Sequence, residues 1–523
     1  MKKLIGLLCL LCLSVPSMAQ TQAEVEEALR KLYMATVMTS TRYVDSVNVN
    51  ELAEAAIRGM LDKLDPHSTY TNAKETKQFN ESMQGSFEGI GVQFNILEDT
   101  LLVIQTVAKG PSEKAGIAAG DRIVSVNDTA IAGVKMKQEE IMSRLRGPKG
   151  SIAHLGIKRR DVKEILYFDV KRDKIPVHTL DAAYMVTPTI GLIRFSQFGQ
   201  TTYDEVTEAI QKLKGQGMQS LILDLQQNGG GLLNITADLA SEFLPQGDTI
   251  VYTKGRAVPQ QMFRSRGGTL FQQGKIVVLV DEYSASASEI LAGAIQDNDR
   301  GWVVGRRSFG KGLVQVPIEL PDRSMIKLTV SRYYTPSGRS IQKPYTKGDR
   351  KSYDMDAITR YNNGELTNAD SIHFPDSLRY YTRKQHRTVY GGGGIMPDRF
   401  VPLDTTRYTP LYRKISARGL IVQANLRFLD KNRKRLAKQW KQFDEFKEQF
   451  EMPEETLDAI LAEAEEKELK PKDEEERLAT RRQLARTLKA LAARDLWDMS
   501  EYFAIVYEDD PVVLKAVEMI EGR

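Results

Sequence analysis

The spacing of apolar residues changes several times along the 523 residues, and each change marks a different kind of element. Between about 22 and 80, Val25, Leu29, Leu32 and Tyr33 recur at helical spacing, as do Leu52, Ala55, Ile57 and Leu61. Residues three or four apart share a helix face, so this stretch predicts helices. Leu64-Asp65-Pro66 ends the second one at a proline. From 85 to 172 short alternating runs predict strands at 101–107, 123–126, 152–157 and 164–170. Asn127-Asp128 and Arg159-Arg160-Asp161 supply turns, and a helix at 136–145 stops at Gly147-Pro148. This reads as a compact module of about 90 residues. From 175 to 400 strands at 189–195, 221–225, 276–280 and near 302–304 alternate with helices at 203–213, 234–244 and 286–297. That alternation predicts an α/β core. Residues 343–392 are polar and irregular and read as an insertion, and beyond 403 the chain is helical and densely charged.

The expected organisation is a processing segment at 1–19, a helical region at 20–84, the small module at 85–172, the α/β core at 173–402 and a helical region at 403–523. Composition narrows what such a chain can be. With 73 basic and 69 acidic side chains the net charge is +4, too balanced for a dedicated nucleic-acid binder. A basic stretch at 413–441 precedes an acidic one at 454–476, which reads as solvated helix faces packing on each other. At the N-terminus Lys2 and Lys3, an apolar run at 4–15 and Ser17-Met18-Ala19 have the form of a secretory signal. The run falls short of the ~20 residues a membrane span needs. Both cysteines, Cys9 and Cys12, lie inside it, so the mature chain is expected to be exported with no disulfide, thiol nucleophile or thiolate metal site.

Three segments carry candidate chemistry. In Val280-Asp281-Glu282-Tyr283-Ser284-Ala285-Ser286-Ala287-Ser288-Glu289 a buried strand runs through small residues into a helix. A serine at such a helix start sits at the positive end of the dipole, where an oxyanion is stabilised. Ser286-x-x-Glu289 is equally a capping box, in which the serine only caps the helix. A nucleophilic serine needs a base, and none of the five histidines (His67, His154, His178, His373, His386) sits in a pattern suited to a triad or a metal site. A lysine can serve if it is desolvated enough to be neutral. Lys311, between Gly310 and Gly312 and flanked by Phe309 and Leu313-Val314, meets that condition, although a lysine between glycines also suits a surface turn. If 311–315 is a strand, Gln315 shares a face with Lys311 and is placed to orient its amine. Asp224-Leu225-Gln226-Gln227-Asn228-Gly229-Gly230-Gly231 presents backbone N–H groups for an anion, or makes a tight turn without one. The Gly-Lys-Ser/Thr of a phosphate-binding loop is missing from it.

In this order the motifs resemble the C-terminal processing peptidases, or tail-specific proteases, over about residues 60 to 400. The resemblance places the nucleophile at Ser286, the base at Lys311 twenty-five residues on, and a supporting glutamine at Gln315. Leu64–Tyr70, Ile190-Gly191-Leu192-Ile193-Arg194, Tyr334-Thr335-Pro336-Ser337-Gly338-Arg339 and Gly392-Gly393-Gly394-Ile395-Met396-Pro397-Asp398 extend it. It implies an oxyanion hole from the amides of Ala287 and Gly230, although the family's usual proline is Gly229 here. The module at 85–172 resembles a PDZ domain: Phe87, Gly89, Ile90, Gly91 and Val92 form its carboxylate-binding loop, and Ile141 and Leu145 lie on its groove helix.

The resemblance implies an α/β core related to crotonase-like folds, with an inserted PDZ domain and helical ends. It implies a serine endopeptidase that recognises the C-terminal tails of protein substrates and cuts with a Ser-Lys dyad, using no metal or cofactor. Its implied setting is a bacterial cell envelope, periplasmic or membrane-peripheral. Protein or peptide substrates with accessible C-termini are the implied partners, and an adaptor protein and a homodimer through the C-terminal helices are further candidates. The competing expectation is a non-catalytic PDZ scaffold.

Overall fold

A computed structural model describes residues 17–160 and 162–522. The signal-like run at 4–15, both cysteines and Asp161 lie outside the described residues. The chain divides into two units.

The first unit takes in residues up to Thr76 together with Gln315–Thr329 and Tyr345–Tyr353. Helices Ser17–Arg42 and Val49–Leu61 follow the predicted periodicity, and Asn48 caps the second by accepting from the Asn50 and Glu51 amides. The predicted helical stretch is broken by a short strand, Thr69–Thr71, paired antiparallel with Met325–Lys327. Asp65 sets up this break. Its carboxylate accepts from the His67 and Ser68 amides, the Ser68 hydroxyl and Thr329 Oγ1. Three of these donors lie within three residues of Asp65, and the fourth comes from Thr329 on the strand that pairs with Thr69–Thr71. Val25, Leu29 and Tyr33 on the first helix are exposed.

The second unit holds the PDZ-like module, the α/β core and the C-terminal helices. The module's sheet runs in the order Val92–Leu97, Thr100–Thr106, Arg122–Val126, Ile152–Lys158, Ile165–Lys171, so Val92–Leu97 is an edge strand. Glu98 and Asp99, both at positive φ, make the two-residue turn between the first two strands. Strand Ser86–Gly89 pairs with Asp173–Pro176, which brings entry and exit together as an inserted domain requires.

The core sheet runs Leu180–Thr187, Ile190–Phe195, Ser220–Asp224, Ile276–Val280, Trp302–Gly305, Arg399–Phe400. It is parallel from its second strand onward. Both faces are covered, which is why Ile276-Val277-Val278-Leu279-Val280 is apolar without alternation. Ile193, Leu223 and Val278 face helices Thr202–Gly215, Leu233–Ser241 and Ala287–Asp297. Leu192, Ile222, Val277 and Leu279 face Val512, Val513, Ala516 and Ile520 of helix Pro511–Glu521. The last helix therefore completes the α/β core, where the charge pattern had grouped it with the rest of 403–523. The other C-terminal helices enclose their own apolar cluster. Arg427 of the basic stretch pairs with Glu463 of the acidic one, and Asp458 of the acidic stretch pairs with Arg481 beyond it. The predicted irregular stretch at 343–392 contains a small hairpin, Arg379–Tyr381 with Thr388–Tyr390.

Candidate active site

Strand Ile276–Val280 delivers the chain into a turn that Asp281 organises. The Asp281 carboxylate accepts from the Tyr283 and Ser284 amides and, across the site, from the Gln227 amide at 3.0 Å. Burial raises its proton affinity above the ordinary carboxyl range, against the pull of the Gln227 amide and the other donors. Ser286 then adopts φ 58°, ψ −112°. A side-chain-bearing residue in that region costs about 1–3 kcal/mol and persists only where its surroundings enforce it. Ser286 stands at the strand-to-helix junction as N-cap of helix Ala287–Asp297, with the reciprocal Ser286–Glu289 capping box formed. Ser286 is partly exposed between buried Ala285 and Ala287.

The alternating serines divide the work. Ser284 Oγ donates to Leu225 O and Ser288 Oγ to Asn228 O, both at 2.8 Å, while the Ala285 amide also donates to Asn228 O. The two flanking hydroxyls thus stitch the 225–228 loop to the turn that carries Ser286.

Glu289 completes the frame from below, and it is fully buried. Its Oε2 accepts from the amides of both Ser286 and Lys311 at 2.8 Å, and its Oε1 from the Gly310 amide at 2.7 Å and the Ser308 hydroxyl at 2.5 Å. The backbone nitrogens of Ser286 and Lys311 share one oxygen, so they lie no more than 5.6 Å apart, twice 2.8 Å. Burial raises the carboxyl's proton affinity, and the four donors act in the opposite sense. The capping-box spacing flagged Glu289 in the sequence as a partner of Ser286. Its second attachment, to the lysine loop, had no local signal.

Lys311 is not on a strand, because strand Leu313–Glu319 begins two residues later. Just before Lys311, Gly310 sits at φ +89°, and an added Cβ there would lie 3.1 Å from the Gly394 amide nitrogen. The segment is fixed instead by Lys343 N donating to Gly310 O and Gly312 N donating to Gln342 Oε1. Gln315 falls in the first unit, where its amide nitrogen donates to Thr329 Oγ1 at 3.0 Å. The expected shared face of Lys311 and Gln315 therefore does not arise from strand period. Lys343 is a second lysine near this loop. It is buried, 3.9 Å above the Phe309 ring, and paired with Asp356, and burial lowers its proton affinity.

The Ala287 amide is the first N–H of helix Ala287–Asp297, a donor the helix itself leaves unpaired. Gly230 lies directly over this turn: a Cβ there would be 2.8 Å from Ala287 N and from Ser286 Cβ. Its own N–H donates to Asn228 Oδ1 at 2.9 Å. The helix thus leaves the Ala287 N–H open, while the Gly230 N–H is taken by Asn228.

In the PDZ-like module Phe87 pairs with Ile175 and lies under the Arg146 guanidinium. Gly89 ends its strand, Gly91 takes φ +74° and Val92 starts the edge strand. Ile90 O is held by the Ser112 amide and hydroxyl. Ile141 and Leu145, on helix Gln138–Leu145, are 3% and 4% exposed and pack with Ile90 in the module's core. Both side chains are therefore committed to the module's apolar core. His154 pairs with Asp169 and His178 with Glu205.

Comparison with known proteins makes this α/β core with its inserted PDZ domain a serine peptidase. Residues 189–352 match peptidase family S41, residues 89–171 a PDZ domain, and residues 12–76 the N-terminal domain of the activating protease CtpB. Residues 411–498 match a family of unknown function. The chain is 34% identical over 335 residues to the carboxy-terminal processing protease CtpB of Bacillus subtilis, covering 63% of this chain and 69% of that protein. It is 38% identical over 307 residues to the carboxy-terminal-processing protease of Bartonella bacilliformis, covering 58% and 70%. Among solved structures, the photosystem II D1 C-terminal processing protease is 26% identical over 63% of this chain and 91% of that one, with a TM-score of 0.34. The chain belongs to the carboxy-terminal processing proteases of peptidase family S41.

Proposed function

We propose that the peptidase works through a Ser286–Lys311 dyad on protein substrates whose C-terminal tails engage the PDZ domain. Lys311, as the neutral amine, takes the Ser286 hydroxyl proton while Oγ attacks the peptide carbonyl. The Ala287 amide stabilises the oxyanion, joined by the Gly230 amide when Asn228 releases it. The protonated Lys311 then gives its proton to the leaving amine, and water hydrolyses the acyl-enzyme. The observation that carries this reading is the single Glu289 oxygen bound to both the Ser286 and the Lys311 amide. Gln315 is assigned its supporting role by its place in the motif alone. The signal-like start supports export to a cell envelope, and no helix among the described residues is long and apolar enough to cross a membrane. An adaptor and a homodimer through the C-terminal helices belong to the same proposal.

Ser286→Ala and Lys311→Ala should each abolish cleavage of an unfolded protein substrate while tail binding to the PDZ domain survives. Normal cleavage by either variant would refute the dyad. Tail binding without cleavage by the parent enzyme, on any unfolded substrate, would favour the scaffold reading.

A further inference from the structure

The PDZ edge strand is not left alone. The hydrogen-bonding direction alternates along Val92–Leu97, and Gly91 O accepts from the Val107 amide on the inner side. Leu97 and Thr100 flank the two-residue turn as an inward pair. Residues 92, 94 and 96 therefore turn their backbone groups to the free edge, to which a tail would add as a strand. Gln423, on helix Leu420–Gln439, donates its side-chain amide to Ile96 O on that edge at 3.1 Å. One turn on, Leu426 is buried in a cluster with Leu97, Leu102 and Ile104 on the sheet's outer face. A further turn on, Asp430 receives Arg122 at 2.9 Å and Arg160 at 2.5 Å. The spacing of 423, 426 and 430 puts all three on one face of the helix. This is an apolar contact locked by an ion-pair cluster, with a side-chain amide placed where a tail's backbone amide would donate.

We propose that helix Leu420–Gln439 is a latch that limits the PDZ domain to about the last four residues of a tail. A tail whose carboxylate is held at the Ile90–Gly91 loop runs antiparallel to Val92–Leu97. At a period of two, its last residue lies beside Val92, its third-last beside Phe94 and its fifth-last beside Ile96. That fifth residue meets Gln423. Longer pairing requires the helix to let go of Ile96, so with the latch closed the residues before the last four add nothing to binding. The proposal rests on the reading that the PDZ domain binds tails.

The test uses the full chain carrying Ser286→Ala, with a labelled four-residue peptide ending in leucine and a ten-residue peptide sharing its last four residues. Anisotropy titration should give the two peptides equal affinity. Adding Gln423→Ala or Asp430→Asn should tighten the ten-residue peptide roughly tenfold, on the scale of one net hydrogen bond, and change the four-residue peptide less than about twofold. Thermal melts of both variants establish that they are folded. A ten-residue peptide already tenfold tighter before the substitutions would overturn the latch. So would an unchanged ratio of affinities in both folded variants. If neither peptide binds any form, tail binding itself is wrong and the latch falls with it.

Discussion

Glu289→Gln tests the frame of the active site with the smallest change of shape. The carboxylate takes two amides on Oε2 and one amide plus a hydroxyl on Oε1. The best orientation of a glutamine keeps its oxygen on the Ser286 and Lys311 amides and points its NH₂ at Ser308, whose hydroxyl oxygen can accept. The Gly310 N–H then faces another donor. One buried unpaired amide costs about 1–3 kcal/mol. That strain falls on the residue before Lys311, where a displacement of about 1 Å is enough to cost on the order of 100-fold in rate. The variant should therefore lose about 1–3 kcal/mol in denaturant unfolding and about 100-fold in kcat/KM on a peptide substrate. The carboxyl's raised proton affinity adds a sign. The folded state binds this proton more tightly than the unfolded one, so the parent's stability from this group is full below about 4.5 and declines as pH rises through the higher folded value. Glutamine has no such dependence, so the gap between parent and variant should narrow with rising pH. A gap that widens would mean that the four donors outweigh burial. Activity and stability both within twofold of the parent would refute the claim that Glu289 holds the lysine loop.

Gly230→Ala should cost at least about 100-fold in kcat, the scale of a lost oxyanion donor, since its Cβ would enter the space of Ala287 N and Ser286 Cβ. Gly229→Ala, with open space around it, should stay within about threefold, and equal losses would show that only loop flexibility matters. Lys343→Met should retain cleavage while Lys311→Ala does not, read by single-turnover acylation; the reverse result would move the base to Lys343. Tyr507 donates to Asp224 Oδ2 at 2.7 Å and accepts from Arg194, so Tyr507→Phe should lower unfolding stability by about 1–3 kcal/mol. An unchanged denaturation midpoint would mean that the Tyr507–Asp224 bond contributes nothing.

What the sequence made legible follows from how local each cause is. Strand Ile276–Val280 and helix Ala287–Asp297 were readable because period and small-residue turns act over a few neighbours. The strained turn at Ser286 could be anticipated from Ser-Ala-Ser-Ala-Ser, but the distinct tasks of its serines could not. Ser284 and Ser288 spend their hydroxyls on residues about sixty positions earlier, and only the folded chain brings those carbonyls near. The glycine and apolar flanks single out Lys311, yet the strand expected from 311 begins only at Leu313, because the Lys311 and Gly312 amides donate to the Glu289 and Gln342 side chains, both distant in sequence. Helix Pro511–Glu521 was misgrouped for a related reason: charge patterning describes exposed faces, and the apolar face that seats it on Ile222 and Val277 belongs to the core.

The same long-range dependence ties the C-terminal region to the rest of the second unit at several places, and two of these ties end beside elements with a proposed role. Tyr507 reaches the Arg194–Asp224 pair, and the Gln226 amide that opens the glycine loop donates to the other oxygen of Asp224. Gln423, Leu426 and Asp430 hold the edge and outer face of the PDZ sheet. One attachment ends beside the loop proposed to supply an oxyanion donor, and the other ends on the strand proposed to receive the tail. The first is buried and shared among a carboxylate, a guanidinium and a phenol, while the second rests on one amide, one leucine and one ion-pair cluster near the surface. Buried, charge-assisted bonds are the more costly to break. The PDZ attachment should therefore open well before the core attachment. In native-state hydrogen exchange the amides of Val92–Leu97 should lose protection ahead of those of Ser220–Asp224. Simultaneous loss would mean that the C-terminal helices release both sites as one body.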